Sequence, residues 1–172
     1  RHGRWRCDHR LNRTGHEIDK EEQTTMNMDD FEDPGLLAMT GEEPPGFQRA
    51  MGYRLTEWRE GEAVLEMEIA EQHRNRVGVV HGGVFAALID TACGFCGSYT
   101  DTPGEQRGVA TLSLTTSFTA PAREGMLRTI GRKRGGGRNT FFASAEVFDS
   151  NGVLVAFGEG TFRYRTKKTR EY

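Results

Sequence analysis

HRNRVGVVHGGVFAALIDTACG, residues 73 to 94, places a glycine pair after His81 and continues in apolar and small side chains broken by one carboxylate. From Val84 to Gly97 the side chains are almost all apolar or small, so a helix here is apolar all round and must be buried on nearly every side. A sheet wrapped around it gives that cover. Ala86, Ala87, Ala92, Gly94 and Gly97 keep the helix slim, which lets strands or a second helix approach closely. Gly82 and Gly83 stand where it begins, and the first amides of a helix have no intrahelical acceptor. Together with the helix dipole they form a place for developing negative charge.

Asp90 is the exception within this helix. An ionised carboxylate is costly to bury unless it is paired. Its neighbours one turn away, Ala86, Ala87, Cys93 and Gly94, leave room for a ligand and supply no countercharge. A hydrogen bond to a strand backbone or to Thr91 would make it structural; perturbed carboxylates in apolar surroundings cluster at functional sites, which favours a chemical role. Asp90 lies eight residues beyond Gly82, about 12 Å along a helix. Reacting groups must meet within about 3 to 3.5 Å. Two such helices packed antiparallel would bring one chain's Asp90 toward the other's N-terminus, which predicts an active site at a dimer interface.

Outward from this helix the sequence alternates as strands do. Met51 to Glu60 and Ala63 to Ala70 read as a half-buried hairpin about Gly61, with Leu65, Met67 and Ile69 alternating with Glu66 and Glu68. Gly108 to Ala120, Met126 to Arg134, Asn139 to Phe148 and Val153 to Tyr164 follow, separated by Pro121 to Gly125, the triple glycine 135 to 137, and Asp149-Ser150-Asn151-Gly152. Strands around one long apolar helix indicate an α+β domain.

The 172 residues suffice for one domain with a sizeable core. Residues 1 to 20 are rich in Arg and His, whereas residues 21 to 44 hold eight acidic side chains and no basic one. Residues 1–45 are therefore expected to be a flexible leader with a short helix near 28–40, 46–166 the domain, and 167–172 a tail. A balance of 23 basic against 25 acidic residues gives no global bias toward nucleic acid or anionic membrane. The expected chain binds neither, and the lack of a bilayer-length apolar run or secretory signal points to the cytoplasm. Cys7, Cys93 and Cys96 form no disulfide framework. No metal site is expected, because His73 and His81 lack a third ligand at metal spacing.

Asn75, Gly78, His81-Gly82-Gly83 and Asp90 reproduce an N-x-x-G-x-x-H-G-G, then L-x-D, pattern. In this the chain resembles the hotdog-fold acyl-CoA thioesterases of the phenylacetate-pathway (PaaI-like) type. Phe47 to Ile69 is similar to that family's opening hairpin, Thr111 to Pro121 to its strand before a Pro-containing turn, and Gly152 to Thr161 to its closing strand. The resemblance implies a hotdog fold, an antiparallel sheet wrapped around one long central helix. It also implies a thioester hydrolase releasing a free acid from an aryl or medium-chain acyl-CoA. The assembly implied is a homodimer with shared active sites, or a dimer of dimers. No cofactor is implied beyond the coenzyme A of the substrate.

Carried onto matching positions, the resemblance assigns the Gly82 amide and the Asn75 side chain to the thioester carbonyl as an oxyanion hole. Asp90 of the opposite subunit would be general base or nucleophile. Thr111 falls where related enzymes carry a hydroxyl that positions water. His81 and Gly83 are substrate-binding candidates, though His81 could equally hold the loop through a backbone hydrogen bond. Gly137-Arg138 matches a loop near the nucleotide end of coenzyme A, the alternative being a glycine hairpin whose Arg and Lys keep an edge soluble. Arg74 and Arg76 are weaker phosphate candidates, and Phe85 and Phe118 line the acyl pocket or pack the core. Cys93-Gly94-Phe95-Cys96 lies late in the helix, where a C-x-x-C gains nothing from the dipole, so it reads as space-filling thiols. A hydratase of the same fold would carry Pro where Val79-Val80 stand. From another class, a non-catalytic acyl-CoA-binding module would not need a buried base.

Overall fold

The computed structural model describes residues 43–101 and 107–165. The expected leader helix near 28–40 and the 167–172 tail lie outside the described residues. Six antiparallel strands form one sheet: β1 (Tyr53–Arg59), β2 (Glu62–Glu68), β3 (Val109–Phe118), β4 (Met126–Gly136), β5 (Thr140–Phe148) and β6 (Leu154–Tyr164). Their spatial order is β1-β2-β4-β5-β6-β3, so β1 and β3 are the edges. The sheet curls around the expected long helix, which runs Gly82–Ser98 and is here α2. This is the hotdog architecture, and none of the described helices is long and apolar enough to cross a membrane.

One element was not foreseen. Gly46–Met51 forms a short helix, α1, where the alternation suggested that a strand already begins at Met51. Pro45 pre-sets its start, and Gly52, in the left-handed region at φ 71°, ends it and turns the chain into β1.

The core explains the small residues of α2. Leu88, Ile89, Ala92, Cys93 and Cys96 are buried against Leu65, Leu127, Phe141, Val147 and Phe162. A Cβ at Gly97 would lie 2.0 Å from the Phe141 ring, and one at Gly131 of β4 would lie 2.4 Å from the Ala92 carbonyl oxygen. Helix and sheet touch backbone to backbone there. Both thiols sit inside this core: burial pushes the Cys93 thiol up, and Cys96 is pushed up to about 12. They are protonated, space-filling groups at neutral pH.

The expectation that α2 is covered on nearly every side needs one correction. Ala86, Ala87, Asp90 and Thr91 remain half-buried along one stripe. All six strands contact the helix, and β3, which does so beside the stripe, is an edge strand that leaves the stripe open beyond it. On the outer face, Arg128 bridges Glu57 and Glu66, and Arg132 bridges Glu62 and Glu146, at 2.6 to 3.2 Å. Each half-exposed pair adds little stability, but together they tie four neighbouring strands in register.

Candidate active site

The loop from His73 to His81 carries the first half of the candidate site. Arg74 and Val80 pair as an isolated antiparallel bridge, and the His81 amide donates to the His73 carbonyl at 2.8 Å. The Asn75 side chain holds the turn between them: its Oδ1 accepts from the amides of Val77 at 3.0 Å and Val79 at 3.3 Å. Of the two polar atoms of the Asn75 side chain only the oxygen can accept from an amide, so its NH2 points the other way, with no acceptor among the described residues. Gly78 takes the left-handed conformation, φ 75°, that closes the turn.

His81 then caps α2. Its Nδ1 accepts from the Gly83 amide at 2.9 Å, which occupies one of the two glycine amides. Of its two sequence readings, loop and helix-start holding is the one this bond performs. Gly82 is the first helical residue, and among the described residues nothing accepts from its amide. The Asn75 NH2 and the Gly82 N–H are therefore two unused donors at one loop–helix junction. The Phe118 ring lies over Gly82, where a Cβ would meet its Cζ at 3.3 Å. Phe118 is 55 % exposed, while Phe85, its neighbour at 6.1 Å between ring centroids, is 3 % exposed and belongs to the core.

The second half of the site lies two turns further along α2. Thr111 Oγ1 donates to Asp90 Oδ1 at 2.8 Å. The hydroxyl reaches it because of a bulge between Thr111 and Ser113 in the β3–β6 pairing. Strict alternation would put Thr111, Ser113 and Thr115 on one face. With the bulge, Val109, Thr111, Leu114, Thr116 and Phe118 face the helix, and Thr115 and Ser117 face outward. The sequence singled out Thr111 and Asp90 separately; their direct contact depends on that irregularity.

The loop has two supports that sequence reading missed. His73 is buried, with Nδ1 accepting from the Ala70 amide at 2.9 Å and Nε2 facing the Met51 carbonyl at 2.9 Å. The donor at one nitrogen and the acceptor at the other fix a neutral imidazole protonated on Nε2. Burial, outweighing its backbone hydrogen bonds, lowers its pKa from 6.5. Arg123, from the turn after β3, reaches the carbonyls of Val77 and Gly78 at 3.5 Å, while Arg74 Nε donates back to the Arg123 carbonyl at 3.0 Å. A residue 48 positions away in sequence thus braces the Asn75 turn.

The run Arg132-Lys133-Arg134-Gly135-Gly136-Gly137-Arg138, the densest local cluster of basic residues in the domain, is divided by its surroundings. Arg132 is spent on Glu62 and Glu146, and Gly137-Arg138 form the exposed tip of the β4–β5 hairpin, where Arg138 has no partner among the described residues. Among the described residues, one concavity of about 630 Å3 lies on the outer sheet face around Ser117, Ser144 and Phe157, and another of about 320 Å3 lies at the C-terminal end of α2. Neither is lined by Asp90, Asn75 or Gly82. Among the described residues, no three His, Cys, Asp or Glu side chains converge as a metal ion would require.

This fold and motif have known counterparts. The thioesterase superfamily profile matches residues 77–156. Acyl-coenzyme A thioesterase 13 of Mus musculus is 30 % identical over 122 residues, covering 68 % of this chain and 84 % of the mouse protein. Among solved structures, zebrafish thioesterase superfamily member 2 is 26 % identical with a TM-score of 0.64, covering 76 % of this chain and 93 % of that one. The E. coli PaaI protein from the phenylacetic acid degradation operon shares the fold at 23 % identity and a TM-score of 0.64, with coverage of 71 % and 86 %.

Proposed function

We propose, because the chain belongs to the thioesterase superfamily, that this thioester hydrolase acts on acyl-CoA, aryl or medium-chain, with Asp90 as its catalytic carboxylate. The observation that carries the assignment is the Thr111–Asp90 hydrogen bond of 2.8 Å, on a half-buried stripe of small residues with no countercharge. Thr111 occupies one carboxylate oxygen and leaves the other for chemistry.

The thioester carbonyl oxygen accepts from the Gly82 amide and the Asn75 NH2, both of which lack another acceptor among the described residues. These donors offset the negative charge that grows on that oxygen as the carbon becomes tetrahedral. Asp90 takes a proton from water as the water oxygen bonds to the carbonyl carbon. The intermediate then collapses, the C–S bond breaks, and the proton passes to the departing thiolate. In the nucleophilic variant Asp90 Oδ2 attacks, expels the thiolate and leaves a mixed anhydride that water cleaves. The geometry is compatible with both.

About 12 Å of helix separates Gly82 from Asp90, too far for one chain's pair to serve one carbon. A second copy, antiparallel at α2, joins the halves. The half-buried stripe of α2 and the free edge of β3, with Leu112 55 % exposed, support that docking. The test is free-thiol release from a panel of aliphatic and aromatic acyl-CoAs by wild type and Asp90→Asn. Near-full turnover by the variant removes Asp90 from the mechanism; binding without turnover by the wild type makes the protein an acyl-CoA-binding module.

A further inference from the structure

The cavity of about 320 Å3 at the C-terminal end of α2 has a composition the site above does not use. Arg107, Lys133 and Arg134 line it, Arg134 also bordering the outer-face concavity, and Glu60 is the only acid among the described residues of its wall. Helix C-termini attract cations, which accounts for a positive charge nearby. Three around one volume, none ion-paired among the described residues, exceed that need. Their contacts are with neutral groups: Arg107 lies 5.0 Å over the Tyr164 ring, Lys133 Nζ contacts Tyr164 Oη at 3.2 Å, and Arg134 Nε donates to Ser144 Oγ at 2.7 Å. Elsewhere on this sheet, Arg59, Arg128 and Arg132 all meet carboxylates. The field of these cations reaches the cavity wall, where Lys133 and Arg134 draw the Cys96 thiol down against the larger upward push of burial.

We propose that this cavity binds an anionic group of the thioester substrate. The inference rests on Asp90 being the reacting end. Cys96, in the cavity wall, lies six residues past Asp90 on α2, about 9 Å. Arg107 lies four residues before Thr111 along the chain leading into β3, about 13 Å. An extended chain gains about 1.2 Å per single bond, so roughly eight to eleven bonds connect the thioester carbon to the cavity. A medium-length acyl group ending in a carboxylate has that reach. A phosphate of the thiol carrier offers the same chemistry from the other end of the substrate, and both make charge-assisted hydrogen bonds with Arg and Lys.

The test uses the full chain and the double variant Arg107→Gln, Lys133→Gln, with four substrates: decanoyl and sebacoyl thioesters of coenzyme A and of N-acetylcysteamine. A loss of about tenfold or more in kcat/KM confined to the two sebacoyl thioesters identifies an acyl carboxylate. The same loss confined to the two coenzyme A thioesters identifies a carrier phosphate. No change for any substrate, or an equal loss for all four, including the anion-free decanoyl N-acetylcysteamine thioester, overturns the proposal. Lys133→Arg should retain wild-type behaviour. Calorimetric titration with sebacate and with inorganic pyrophosphate reads the cavity without turnover: one should bind wild type and lose that binding in the double variant. If neither binds, the cavity reading falls even though hydrolysis stands; if one binds and no thioester is cleaved, the hydrolase reading falls instead.

Discussion

Mixing two inactive variants should restore activity if the halves of the site come from different chains. Asp90→Asn keeps the Thr111 hydrogen bond but removes the carboxylate, which costs about 10²- to 10⁴-fold if Asp90 is a general base. Asn75→Asp keeps the oxygen that holds Val77 and Val79 and replaces the NH2 donor; loss of an oxyanion donor costs about 10²- to 10³-fold. In a heterodimer, one site inherits both defects and the other inherits neither. Statistical pairing makes half the dimers mixed, each with one working site of two, so the mixture should recover about a quarter of wild-type activity and the isolated heterodimer about half. Co-expression with two affinity tags, tandem purification and thiol-release kinetics give the measurement. If both residues of one chain served one carbonyl, every site in the heterodimer would carry a lesion. Activity no higher than that of the parental variants would therefore refute the argument from the helix length.

Two further outcomes follow from the hydrogen bonds. Thr111→Val should lower kcat by roughly 10- to 100-fold, since a hydrogen bond to a charged group is worth about 1.5 to 3 kcal/mol, and Thr111→Ser should restore it; an unchanged kcat in the Val variant reduces the pair to packing. His73 should make the fold acid-sensitive. Its folded pKa is lowered from 6.5, so the native state binds fewer protons than the unfolded chain as the pH falls below that value. Its contribution is whole above 6.5 and is lost as the pH falls from there to the lowered folded value, with a slope of at most about 1.4 kcal/mol per pH unit. Urea unfolding from pH 8 to pH 5 for wild type and His73→Gln reads it, and a stability difference between them that does not change with pH would contradict the assignment.

The parts of the structure legible in the sequence are those set by local pattern. The run Val84–Gly97, apolar or small except at Asp90 and Thr91, reads as a wrapped helix, and alternation with Gly and Pro punctuation located all six strands to within a few residues. Asp90 stood out because it broke a pattern. What depended on contacts distant in sequence was not legible. Arg123 braces the Asn75 turn from 48 positions away, and nothing near either residue announces it. The basic run 132–138 looked uniform, yet strand pairing consigns Arg132 to carboxylates and turns Lys133 and Arg134 toward a cavity they share with Arg107. The bulge that aims Thr111 at Asp90 appears only when β3 is laid against β6. Met51, the last residue of α1, reads as the start of the first strand, because a helix of six residues carries too little periodicity to mark where it ends.

The two edges of the sheet differ in kind. β1 carries Arg54, Glu57 and Arg59, charges that discourage another strand from adding on, whereas Val109 to Phe118 of β3 contains no charge and no proline. A sheet with two sticky edges can grow without limit, copy upon copy, into a fibre. Here a twofold pairing of β3 with β3 would consume the permissive edge of both copies and leave only guarded β1 strands at the ends. Such a pairing would confine the polymerisation hazard of an open sheet to a single step, and the count would stop at two along that direction.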